Sequence, residues 1–286
     1  MSFIQSRAKL NAGPLTNDQI MSLAPSVFAA EAHGSRSERY THIPTSTILD
    51  GMRANGFMPT FAQQGRSRTP GKAEYTKHML KFSYAGELPV AHNGVGAAPQ
   101  VCMMNSHDGT RAFKLVAGLI RFACLNGLIV AEDGTSSSVT ARHTGNIVDQ
   151  VIEGSFEVLA ESRRALGHAE EWSGITLIRD EQVALAEQVH ALRFPAVEGK
   201  ASTPFKPEQL LEVRRQADIR SDLWTTTNVL QENAIRGGLS ARTRTSTGQR
   251  RNVTSRPVNG IEGNVALNQA LWALTQRMAE IKGANA

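Results

Sequence analysis

Between Arg236 and Gly260 the chain carries Arg236, Arg242, Arg244, Arg250, Arg251 and Arg256, with no aspartate or glutamate among them. Guanidinium groups at this density, set among Ser, Thr and Gly, suit phosphates, which they bind through charge-assisted and often bidentate hydrogen bonds. Strictly between Leu239 and Val258 the only large aliphatic side chain is Val253, and there is no aromatic ring. Residues 239–258 therefore have little apolar surface to set against the entropy of ordering, and they are expected to form a flexible basic loop. Gly237-Gly238 and Gly260 would let that loop swing as a unit. A merely soluble surface loop is the bland alternative; the complete lack of acid favours contact with a polyanion.

A second basic segment, Arg53 to Gly86, sets Arg53, Arg66, Arg68, Lys72, Lys77 and Lys81 against Glu74 alone and interleaves them with Phe57, Phe61, Tyr75, Phe82 and Tyr84. If 74–84 is a strand, Tyr75, Lys77, Met79 and Lys81 share one face, and Thr76, His78, Leu80, Phe82 and Tyr84 the other. The second set is expected to be core. The first, beside Arg66 and Arg68 on the preceding strand, would be a platform where bases of a single strand stack while cations follow phosphates. The whole chain has a net charge of +5, so outside these two segments it is acidic overall, and it is the distribution of charge that bears on partners.

Other residue patterns could do chemistry but are incomplete. Asp149, Glu153, Glu157 and Glu161 recur every fourth residue, a ridge of like charges that repel one another on a helix unless a metal or a basic surface faces them. A metal-dependent nuclease would also want acids from neighbouring strands, and no such set is found. His107 beside Asp108 and His143 after Arg142 have the makings of an acid/base pair, but both sit at turn signals where local hydrogen bonding is the simpler role. Asn93-Gly94-Val95-Gly96 lacks the helix and Lys of a phosphate loop. Cys102 and Cys124 stand in apolar surroundings and are expected to be buried thiols. The residues thus nominate no catalytic group, no metal and no cofactor.

The elements that must position these groups follow from periodicity. Thr16 caps a short helix; Ile48, Leu49 and Met52 mark another that stops at Asn55-Gly56. Strands are expected at 57–64, 74–84, 101–104, within 105–130, where Phe113, Leu115, Ala117 and Leu119 alternate with Lys114, Val116 and Gly118, and at 139–143. Helical spacing then takes over: 146–166, 180–193, a short helix from Glu208, 222–235 and 262–281. Early strands and late helices imply an α+β fold, a mixed or antiparallel sheet with flanking helices followed by a C-terminal helical hairpin carrying the basic loop. The expected division is a body over 1–198, a linker over 199–207 and a helical region over 208–286. Leu267, Leu271, Leu274, Met278 and Ile281 would pack on Leu223, Thr227, Leu230 and Ala234, with Trp224 and Trp272 in contact. No apolar run is long enough to span a bilayer, and MSFIQSRAKLN has no signal-peptide core, so a cytoplasmic protein without membrane contact is expected.

The runs Ser35-Arg36-Ser37-Glu38-Arg39-Tyr40, Asn105-Ser106-His107-Asp108-Gly109 and Arg121-Phe122-Ala123-Cys124-Leu125-Asn126-Gly127-Leu128 together resemble one family, as does the segment from Asp222-Leu223-Trp224 through Gln231-Glu232-Asn233 to Gly237-Gly238-Leu239-Ser240. It is the YafZ/YubP-like family of uncharacterised proteins from plasmids, prophages and related mobile elements, and the likeness runs from about Leu15 to Ile281. The family brings no established catalytic residues. Its mobile-element setting implies work on incoming or replicating DNA, or against host defences. The combined expectation is a non-enzymatic, homo-oligomeric DNA-binding protein that prefers single strands and assists annealing or recombination. The alternatives are a protein that counteracts a host defence system and a metal-dependent nuclease.

Overall fold

The computed structural model describes residues 13–31, 34, 44–67, 69, 71–85, 95–109, 113–122, 127–130, 138–141, 147–198, 202–244 and 247–284. The chain divides into two compact units, 1–166 and 167–286. The division falls inside a long helix and not at 199–207, so the helix at 179–193, placed by its sequence with the body, belongs to the second unit.

The first unit begins with α1 (Asn17–Leu23), started by a reciprocal cap in which the Gln19 amide N–H donates to Thr16 Oγ1 and the Thr16 N–H to Gln19 Oε1. Helix α2 (Thr45–Ala54) buries Thr45, Ile48, Leu49 and Met52. It ends at Asn55, and Gly56, at φ 84°, turns the chain into the sheet. Strands β1 (Phe57–Gln64), β2 (His78–Tyr84), β3 (Ala97–Asn105) and β4 (Phe113–Arg121) run in antiparallel order β1-β2-β3-β4; β5 (Gly127–Ile129) and β6 (Ser138–Ala141) both pair with β4. Helix α3 (Ile147–Ser173) follows, its Phe156 ring edge-on to Phe57 and its Ser162 Oγ donating to the Gln100 carbonyl of β3 at 2.8 Å.

Strand β2 corrects the expected register of surfaces. It starts at His78, not Glu74, and Ala73–Tyr75 form a single 3-10 turn before it. Both faces are buried: Leu80 and Phe82 on one, Met79 and Lys81 on the other, with Lys81 only 6% exposed. The neighbouring strand explains this, because Val101-Cys102-Met103-Met104 is a continuous apolar run, the mark of a strand covered on both sides. Strand β4 is likewise buried on both faces apart from its half-buried Lys114 and Ile120, where alternation had suggested a half-exposed strand.

The second unit is built round α5 (Leu223–Arg236), in which Leu223 to Ala234 are all buried although seven of those residues are Thr, Asn, Gln or Glu. Around it stand α4 (Arg179–Arg193), a 3-10 turn at Pro207–Leu211, and α6 (Ile261–Ala284). Polar side chains are tolerated inside because each meets a partner. Thr227 Oγ1 and Thr275 Oγ1 are 3.0 Å apart, Gln231 donates to Asn268 Oδ1 at 2.7 Å, and Asn233 Nδ2 donates to the carbonyls of Leu210 and Glu212. The α5–α6 contact is therefore partly a polar seam: Asn268 and Thr275 are buried beside Ile261, Val265, Leu271 and Trp272, and of the expected stripe Leu271 is buried, Leu267, Leu274 and Met278 are half-buried and Ile281 is exposed. The Trp272 ring packs tilted against Trp172, with centroids 4.4 Å apart.

Candidate nucleic-acid interface

The expected flexible loop is a β-hairpin. Strands β7 (Ser240–Arg244) and β8 (Arg250–Thr254) pair antiparallel with Ser240 opposite Thr254, Ala241 opposite Val253, Arg242 opposite Asn252, Thr243 opposite Arg251 and Arg244 opposite Arg250. Cross-strand partners point to the same face of a ladder. One face therefore carries Ser240, Arg242, Arg244, Arg250, Asn252 and Thr254, all exposed, and the other Ala241, Thr243 and Val253, all half-buried, with exposed Arg251. Among the described residues the side chains of Arg242, Arg244, Arg250 and Arg251 have no hydrogen-bonding or ion-pair partner. Composition led to a loop because it counts apolar side chains; the order here comes from ladder hydrogen bonds and from the foot of the hairpin.

That foot is tied to α5. Gly237 lies at φ 67°, ψ −153°, and a Cβ there would sit 2.6 Å from the Ser255 carbonyl oxygen, so only glycine lets the two chain segments cross. Gly238 N–H donates to Ser255 O, Ser255 N–H to Leu239 O and Leu239 N–H to Ser255 Oγ. Arg193 spans the crossing, giving Nε to Ala234 O and a terminal nitrogen to Arg256 O, and Arg214 bridges Asn233 Oδ1 to Gly237 O. The glycine pair read as a hinge is thus a fixed crossing.

Arg236 differs from the other five arginines of this segment. It forms an ion pair with Glu232, which also receives Arg215. Burial would raise the Glu232 pKa, but hydrogen bonds from Arg215 and Arg236 outweigh it and hold the carboxyl below its usual range. Arg236 is therefore a structural cation. Arg256 is exposed just beyond β8.

In the first basic segment the expected platform is taken apart. Arg66 is exposed but lies beyond β1, and Arg68 is outside the described residues. Lys72 and Tyr75 are half-buried around the 3-10 turn, with the Tyr75 carbonyl accepting from His107 N–H, and Lys77 is half-buried before β2. Lys81 points inward, its Nζ 3.4 Å from Gly127 O and over the Phe61 ring. It lies opposite Cys102, whose thiol pKa burial pushes up. Cys124 and His143 are outside the described residues.

Sequence reasoning missed a polar centre in the first unit. Ser26, Thr45, His78, Asn105 and His107 are all at 0% exposure. His78 Nδ1 lies 2.9 Å from Ser26 Oγ and 3.2 Å from Thr76 O, and its Nε2 is 2.9 Å from Thr45 Oγ1, which also meets His107 Nε2 and Asn105 Nδ2. These contacts are mutually consistent if His78 donates from Nδ1 and Thr45 donates to His78 Nε2 while accepting from His107 and Asn105. Burial lowers the His78 pKa to about 4, partly opposed by the Thr76 carbonyl. A Ser–His contact of this length has nucleophile chemistry in it, but an enclosed, neutral, weakly basic imidazole serves to tie α2, β2 and β3 together. Of its members only His107 stood out in the sequence as a group that could do chemistry; His78 lies on the strand face expected to be core, and it is buried.

Asp149, Glu153 and Glu157 are exposed along α3, and Glu161 is half-buried, 4.0 Å from Arg164. Among the described residues no group of three His, Cys, Asp or Glu could hold a metal ion, and no helix is long and apolar enough to cross a membrane.

Comparison with known proteins agrees with the resemblance. The chain is 40% identical over 265 residues to "UPF0380 protein YafZ" of Escherichia coli (strain K12), covering 93% of this chain and 92% of that one, and 39% identical with the same coverage to "UPF0380 protein YfjQ" of the same strain. No solved structure matches. Residues 32–272 match the family described as "Domain of unknown function (DUF932)", which takes in the sheet, the buried polar helix and the hairpin, and the chain belongs to that family.

Proposed function

We propose that this protein is a non-enzymatic DNA-binding protein of mobile elements, and that the β7–β8 hairpin makes the contact. The observation that carries the reading is the exposed, acid-free hairpin face that places Arg242, Arg244 and Arg250 side by side. Uncompensated guanidinium groups held on a ladder suit a polyanion better than a merely soluble surface, where nearby acids would usually relieve their repulsion. The single-strand preference expected from the first basic segment loses its support, because Lys81 and Met79 are buried and Tyr75 lies in a turn.

Replacing Arg242, Arg244, Arg250 and Arg251 together by Ser tests the reading. Affinity for DNA should fall, the melting temperature should stay near that of the parent protein, and the slope of log affinity against log salt should shrink by roughly 0.9 for each of these guanidinium groups that had lain on a phosphate. Unchanged affinity would remove the hairpin from the interface. DNA binding absent at low salt in the parent protein would favour a protein partner, such as a host defence factor.

A further inference from the structure

The hairpin also bears on which form of nucleic acid is bound. A base stacks on an aromatic ring in most sequence-tolerant single-strand sites, and residues 239–258 contain none. What the exposed face offers is Arg and Asn, the side chains that read the edges of guanine and adenine in a major groove. Its three cross-strand rows are Ser240/Thr254, Arg242/Asn252 and Arg244/Arg250.

Dimensions agree with that chemistry. Paired strands lie ~4.8 Å apart, so a two-stranded ribbon with its side chains fits a B-form major groove ~12 Å wide. At ~3.4 Å per residue, successive rows are ~7 Å apart, close to two base-pair steps, so the three rows span about four steps. Thr243 and Val253 on the opposite face are half-buried, which fixes the face that is presented.

Resting on the DNA-binding reading above, we propose that β7 and β8 form a ribbon that enters the major groove of duplex DNA, with Arg242, Arg244, Arg250 and Asn252 facing base edges. Arg251 and Arg256, off that face, are left for the phosphates. An RNA duplex does not fit, because the A-form major groove is deep and narrow.

The test uses the full-length protein and one DNA sequence in four forms: the duplex, its separated strands, the matching RNA duplex, and a duplex whose major groove is filled with glucosylated hydroxymethylcytosine. Filling the groove should weaken binding by ~10-fold or more, the worth of about one lost bidentate base contact. Separated strands and RNA duplex should bind more weakly than the DNA duplex, and a minor-groove drug should compete poorly. Asn252→Ala changes no charge, so against a duplex selected from a random pool it should lower affinity ~5-fold or more at an unchanged salt slope. Its melting curve should match that of the parent. Equal affinity for the groove-filled duplex, or tighter binding of single strands, overturns groove insertion. If the arginine variant still loses affinity in that case, the hairpin remains the DNA contact. Failure to bind any of the four forms overturns both readings.

Discussion

The two basic segments each contain six arginines and lysines, yet they end in opposite environments. Arg53 of the first is bonded to Asn17 Oδ1 and the Leu15 carbonyl, and Lys81 is enclosed beneath Phe61 and Gly127. In the second, Arg242, Arg244, Arg250 and Arg251 all face solvent. The cause is the company each cation keeps across the ladder. Lys81 lies opposite Phe61 on one side and Cys102 on the other, whereas Arg242 lies opposite Asn252 and Arg244 opposite Arg250. A long aliphatic stem can be buried among apolar neighbours, and without such neighbours the charge stays in water. Local charge density therefore describes an interface only after the pairing is known.

The contrast breaks most completely if the hairpin loses its foot. Gly237→Ala forces a side chain into a backbone region that is nearly glycine-only and against the Ser255 carbonyl, so it should destabilise the second unit by about 4 kcal/mol, read from urea unfolding. Gly248 is the control. It too has a positive φ, 80°, but open space around it, so Gly248→Ala should cost only about 1 kcal/mol. Equal effects at the two sites would mean that the crossing is not what holds the hairpin.

Charge reversal compares the two segments directly. Lys81→Glu buries a carboxylate among Phe61, Cys102 and the Gly127 carbonyl and should cost about 3 kcal/mol of stability, whatever it does to binding. Arg242→Glu, on an exposed face, should change stability by no more than about 0.5 kcal/mol while weakening DNA binding. If Lys81→Glu folds normally and lowers DNA affinity, the first segment is a surface after all.

How much of this could be read in advance depended on whether a feature is local. The Thr16 cap, α2 with its stop at Asn55-Gly56, and β1 over 57–64 follow from neighbouring residues and stand as expected. So does the α+β architecture of strands followed by helices. What covers the second face of β2 is not local: the alternation of Tyr75, Lys77, Met79 and Lys81 says that they share a side, not that the side is wet. The apolar run in β3 was the available clue. The polar interior of α5 escaped for a similar reason, since Thr227, Gln231 and Asn233 read as surface until Thr275, Asn268 and the Leu210 carbonyl meet them. Two phrases that carry the family resemblance, Asn105-Ser106-His107 and Asp222 to Ser240, turn out to build the buried polar networks and the hairpin's foot.

The buried side of the contrast can be sharpened by pH. His78 has a folded pKa of about 4 against an ordinary value of 6.5, so as the pH falls the unfolded chain takes up the proton first. Its contribution to stability is intact above 6.5 and is lost progressively between 6.5 and about 4. Between about pH 7.5 and about pH 5 that loss should come to about 2 kcal/mol in urea unfolding, and His78→Gln should remove most of this slope. A variant with an unchanged slope would assign the acid sensitivity to other groups.

The smallest effect has opposite signs for folding and for binding. Arg244 and Arg250 face each other directly across the ladder, and like charges in that position destabilise a strand pair. No acid lies between Arg236 and Gly260 to relieve them. Arg244→Thr removes the repulsion and introduces a β-branched residue suited to a strand, so it should raise stability by about 0.5 kcal/mol. The same change deletes one guanidinium from the face assigned to base edges, so affinity for duplex DNA should fall by ~5-fold or more, the worth of a lost base-edge contact. Arg250→Thr should repeat both effects, and the double variant should gain less stability than the sum, because either substitution alone already relieves the pair. A residue kept at the expense of fold stability and needed for binding is what a functional cation looks like. If either single change lowers stability and leaves affinity intact, the Arg244–Arg250 row holds the hairpin together and the binding face lies elsewhere.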